Sequence, residues 1–119
     1  MILVDTSVWI DHLRTGDTEL AALLNNSQVL MHPFVLGELA CGNLSNRDEV
    51  LALLKNLPRA AVATDDEVLF FIEQRVLMGR GIGYVDAHLL AAVALDGSAR
   101  LSTRDKRLQM VAADLKLAC

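Results

Sequence analysis

The sequence predicts an α/β protein built on a mostly parallel sheet, and three observations lead there. The chain opens on an unbroken aliphatic run, Ile2-Leu3-Val4, as a strand buried on both faces requires. Short apolar runs then alternate with amphipathic stretches of helical period over the whole length. Its 119 residues are 53% hydrophobic and 22% charged with two prolines, enough to bury one core and too apolar for disorder or linker. One domain over residues 1–119 is expected.

Asp5-Thr6-Ser7 supplies capping residues at the exit of the first strand, and Val8, Trp9, Ile10 and Leu13 follow at helical spacing to about Arg14. Gly16-Asp17-Thr18 opens a second helix whose stripe is Leu20, Leu23 and Leu24 and which ends near Asn25-Asn26. Residues 29–31 read as the second strand. Pro33 suits the first turn of a helix to about Cys41, where Gly42-Asn43 stops it. Residues 47–57 and 65–78 read as amphipathic helices, separated by Pro58 and by a small apolar stretch, 60–63, expected as a strand. Gly79, Gly81 and Gly83 mark a turn before the strongest helix, 84–95, which Asp96-Gly97 ends. Residues 99–102 follow as a strand, 105–111 as a helix and 115–118 as a last edge strand.

The formal net charge of −4 excludes a globally basic nucleic-acid binder, although a local basic rim or a bound cation can reverse the field where a phosphate would sit. Cys41 and Cys119 make neither a CxxC pair nor a disulfide framework, so a reducing cytoplasm is expected. The first residues lack a basic region, and no apolar run approaches the roughly 18 residues of a span, so neither signal peptide nor membrane helix is expected.

Four acids stand at structural junctions: Asp5, Glu38, Asp86 and Asp105. Taken singly, Asp5 and Asp105 fit helix caps, and Asp86 suits the positive end of a helix dipole. Glu38 is harder to explain, because Val35, Leu36, Leu39 and Ala40 surround it on the same helix and leave it little expected solvent face. Taken together, two follow apolar strands and two lie early on helices, positions that gather at the C-terminal edge of a parallel sheet. Two unit charges about 4 Å apart repel by about 4 kcal/mol at an effective dielectric near 20. Such a cluster needs a cation or shifted pKa values. All-oxygen donors without a Cys or His set favour Mg2+, with Mn2+ as the alternative, over Zn2+. A divalent ion that keeps several waters suits phosphodiester hydrolysis.

Four blocks also match a known family in order: Leu3-Val4-Asp5-Thr6-Ser7-Val8-Trp9-Ile10; Gly37-Glu38-Leu39 with Gly42; Val85-Asp86-Ala87 leading into Leu90-Ala91-Ala92; and Leu101-Ser102-Thr103-Arg104-Asp105-Lys106-Arg107-Leu108. The chain resembles the PIN-domain ribonucleases, and among them the VapC toxins of type II toxin–antitoxin modules. Nearly the whole chain is covered. The resemblance implies a three-layer α/β/α sandwich, metal-dependent endonuclease activity on RNA, a cognate antitoxin and a homodimer. Carried over, Asp5 and Asp86 are the principal metal ligands, Glu38 completes the acidic site, and Asp105 is the fourth acid, acting through water or a second ion. Thr103 joins the catalytic set, while Thr6, Ser7 and Thr103 all match positions that orient carboxylates or water. Few residues follow Asp105, which bears on the sheet edge and on any dimer contact there.

His12, His32 and His88 share no ligand spacing and read as structural or surface residues, which argues against metal-free RNA cleavage by paired histidines. Trp9 reads as a core side chain in preference to a groove for a partner. Gly81-Ile82-Gly83 is half a dinucleotide fingerprint with no GK[ST] after it, so it shapes a turn. Arg80, Arg100, Arg104, Lys106 and Arg107 form either a solvated charge run or a positive rim for an RNA backbone. The alternative to a nuclease is a catalytically weak RNA-binding or toxin–antitoxin assembly module with this fold. A phosphoryl-accepting receiver domain wants paired acids after the first strand and a late Lys at a strand end, and neither is present.

Overall fold

In the computed structural model, which describes residues 1–119, strand β1 (Ile2–Val4) lies at the centre of a three-stranded parallel sheet. Strand β2 (Val29–Leu30) flanks it on one side and β3 (Arg100–Ser102) on the other. Leu3 pairs with Leu30 and with Leu101, and Val4 pairs with Ser102. Consecutive strand residues point to opposite faces, and Leu3 and Val4 are both essentially inaccessible. Helices therefore cover both faces, as a parallel sheet demands.

Seven helices surround this sheet, and five of them start on a side chain that accepts a free first-turn amide. Helix α1 (Thr6–Thr15) is capped by Asp5 and ends at Gly16, whose φ of +81° suits a residue without Cβ. Helix α2 (Thr18–Asn25) is capped by Asp17. Helix α3 (Pro33–Ala40) carries Pro at its first position and is capped by the His32 ring, whose Nδ1 accepts the Phe34 N–H at 3.0 Å. Helices α4 (Arg47–Lys55) and α5 (Asp65–Gln74) follow, the second with a Thr64–Glu67 capping box. Helix α6 (Tyr84–Asp96) buries every residue from Ala87 to Val93, as an internal helix does. Helix α7 (Lys106–Asp114) is capped by Asp105.

The expected architecture holds, with three corrections at its edges. Residues 60–63 form no strand: Arg59 alone bridges to Met31, through Met31 N–H to the Pro58 carbonyl and Ala60 N–H to the Met31 carbonyl. Ala60 and Ala63 are buried while Ala61 and Val62 are exposed, a period of three that no strand produces. Residues 115–118 likewise give only a bridge between Ala118 and Leu101, because α7 runs on to Asp114 and Lys116 turns the chain at φ +62°. Helix α5 ends four residues early, where Val76 takes φ +55°. Trp9 is 2% exposed and belongs to the core. No helix is long and apolar enough to cross a membrane.

Candidate active site

Strands β1 and β3 end at the same sheet edge, where the Asp5 N–H donates to the Ser102 carbonyl at 2.9 Å. From β1 the chain leaves toward β2, while β3 lies on the other side, so the gap between β1 and β3 is the switch point at which such sheets place ligands. Asp5 stands there, 7% exposed. Its Oδ1 accepts the Thr6 N–H at 2.8 Å, and its Oδ2 accepts hydroxyls from Thr103 at 2.7 Å and Ser7 at 2.9 Å. A carboxylate has about four lone-pair sites, so these three neutral donors leave room for one more partner.

The hydroxyls tie Asp5 to the other acids. Thr103 Oγ1 also accepts the Asp105 N–H at 3.1 Å, while Asp105 Oδ1 caps α7 through the Leu108 N–H at 3.0 Å. Thr6 Oγ1 donates to Glu38 Oε1 at 2.6 Å. All three candidate hydroxyls are thus engaged, Thr6 on Glu38 and the other two on Asp5. Asp86, in the first turn of α6, accepts the Gly83 N–H on Oδ2 at 3.0 Å and keeps Oδ1 free of protein donors. Partial burial raises its pKa, the Gly83 amide lowers it, and the fields of Asp5, Asp105 and Glu38 raise it further. Thr6 and Thr103 thus tie Glu38 and Asp105 to the turn that carries Asp5, and the charges of these three acids are felt at Asp86.

None of the four acids meets Lys or Arg. The ion pairs lie elsewhere: Arg80 with Asp114 and Arg104 with Asp11 and Asp17. A nearly buried carboxylate without a basic partner, beside three more, is the donor set a hard divalent cation fits. No three Asp, Glu, His or Cys side chains form a preassembled coordination cage.

Comparison with known proteins decides the family. A family model of the PIN domain matches residues 2–114. The chain belongs to the PIN-domain family. It is 54% identical over 118 residues to Ribonuclease VapC32 of Mycobacterium tuberculosis, in the strains CDC 1551 / Oshkosh and ATCC 25618 / H37Rv; the match covers 99% of this chain and 95% of each relative. All four acids fall inside the matched PIN domain.

One feature of this PIN domain departs from the sequence reading. Glu38 is exposed, where burial was expected: α3 turns Val35 and Leu39 into the core and leaves Pro33, Phe34, Gly37 and Glu38 outside. The histidines are structural as expected, but in ways composition did not signal. His12 Nδ1 accepts the Asp17 N–H at 3.0 Å, His32 caps α3, and His88 meets Asp65 at 3.2 Å beside the Tyr84 hydroxyl, which donates to the same Asp65 oxygen.

Proposed function

We propose that this PIN domain is a Mg2+-dependent endoribonuclease, the toxic half of a type II toxin–antitoxin pair, leaving 5′-phosphate and 3′-hydroxyl ends. The observation that carries the reading is four carboxylates at one sheet edge with no basic side chain among them. The likeness to a protein named a ribonuclease adds the substrate class.

Asp5 and Asp86 hold the ion in this reading, Glu38 completes the site, and Asp105 acts through water or a second ion. Bound Mg2+, or Mn2+ in its place, supplies positive charge for the phosphodiester and lowers the pKa of a water. Thr103 and Ser7 fix the Asp5 carboxylate, so that its remaining lone pair keeps one direction. Thr6 does the same for Glu38. The Gly83 amide commits Asp86 Oδ2 and leaves Oδ1 for the ion, whose charge offsets the repulsion that raises the Asp86 pKa. A homodimer, a cognate antitoxin and a cytoplasmic location complete the proposal. A strictly monomeric species at micromolar concentration overturns its dimer part.

The test is RNA cleavage in Mg2+. The wild-type protein cleaves, EDTA abolishes cleavage, and Asp5→Asn or Asp86→Asn lowers the rate at least about a hundredfold, the upper end of what outer-shell changes alone cost. Variants that cleave as fast as wild type, with EDTA inert, contradict the proposal.

A further inference from the structure

The glycine turn ahead of α6 and the first turn of α7 meet at one point. A Cβ on Gly81 would stand 2.6 Å from Arg107 Cδ and 2.7 Å from its Nη1, so the arm of Arg107 lies against the bare Cα of that glycine. Gly81 is two residues before Gly83, whose amide Asp86 accepts, and Arg107 is two residues after Asp105. Two residues of chain span at most about 7 Å. The arm of Arg107 therefore joins the two backbone segments that carry Asp86 and Asp105.

Three other arginines of the expected rim are already engaged. Arg104 is held by Asp11 and Asp17, Arg80 by Asp114 at 2.6 Å, and Arg100 donates to the Ala99 carbonyl at 2.8 Å. Arg107 makes no ion pair with any carboxylate. Lys106 makes none either, but only Arg107 is shown lying against the glycine turn. An always-charged planar fork that lies against Gly81 and is free of carboxylates matches a phosphodiester in charge and in hydrogen-bond geometry. We infer that Arg107, seated on Gly81, grips an RNA phosphate beside the scissile bond; this rests on the ribonuclease reading.

Binding of a fluorescein-labelled, mixed-sequence single-stranded RNA in Ca2+, across a KCl series, tests it alongside cleavage in Mg2+. Arg107→Ala binds about tenfold more weakly at low salt, the size of one charge-assisted hydrogen bond. It also flattens the log–log salt slope by about 0.7, the share of one single-strand phosphate. Arg107→Lys keeps that slope. Gly81→Ala is no substitute probe, because its φ of +81° would strain the turn whether or not Arg107 is present. A structural role for Arg107 would move its unfolding midpoint and leave the salt slope alone. An unchanged slope in Arg107→Ala, while wild type still cleaves RNA, overturns the inference and leaves the ribonuclease reading standing. Wild-type protein that neither binds nor cleaves RNA overturns both.

Discussion

Asp5 combines two roles that compete in a reading of sequence alone, since it caps α1 through the Thr6 amide and also forms the buried end of the acid cluster. Thr103 is what keeps those roles compatible, because one hydroxyl donates to Asp5 and accepts from the Asp105 amide. Thr103→Ala should lower RNA cleavage by about 10- to 100-fold, as loss of an outer-shell partner does, while Thr103→Ser keeps most of the rate. Equal rates for Thr103→Ala and wild type would remove Thr103 from the site. His32 gives a second residue-scale prediction. Burial, and then the field of His88, push its pKa down from 6.5 to about 4. Between those values the unfolded chain binds the proton and the folded one does not, so stability is full above about 6.5 and falls as pH drops toward 4. The loss is on the order of 3 kcal/mol by linkage. Urea unfolding across this range should show the decline in wild type and a flatter profile in His32→Asn, which keeps a capping acceptor without the titration.

At the scale of elements, what the sequence made legible is what local chemistry decides. The aliphatic run of β1, the caps at Asp5, Asp17 and Asp105, Pro33 at the start of α3 and the internal helix α6 all follow from residue types at fixed spacings. Residues 60–63 and 115–118 were not legible, because a strand exists only through its partner, and single bridges leave no pattern along the chain. Glu38 was found by its apolar setting yet proved exposed, since two turns of helix bury only one narrow stripe. The tie from Thr103 to Asp5 crosses 98 positions, and no spacing rule reaches that far. Helix α6 is where site and core meet, with Asp86 in its first turn and Leu89 and Leu90 fully buried behind it. Leu90→Ala should destabilise the protein by about 2–5 kcal/mol, and a denaturation midpoint close to wild type would show that α6 is not the internal helix described.

For the whole molecule, net charge and site are connected. Without Asp5, Glu38, Asp86 and Asp105 the chain would hold 11 acidic residues against 11 Lys and Arg, so the candidate site accounts numerically for the entire −4. Several of the remaining charges pair with one another, Arg104 with Asp11 and Asp17 and Arg80 with Asp114. The four site acids have only hydroxyl and amide partners. A parallel sheet with β1 at its centre brings the ends of β1 and β3 together, and the helices that follow add Glu38 and Asp86 from separate parts of the chain. The central claim is that this convergence exists to hold a divalent cation. Calorimetric titration of the purified protein with Mg2+ and Mn2+ tests it most directly: wild type should bind and Asp86→Asn should bind far more weakly, whereas a wild type that takes up neither ion, or an Asp86→Asn variant with undiminished affinity, would contradict the account.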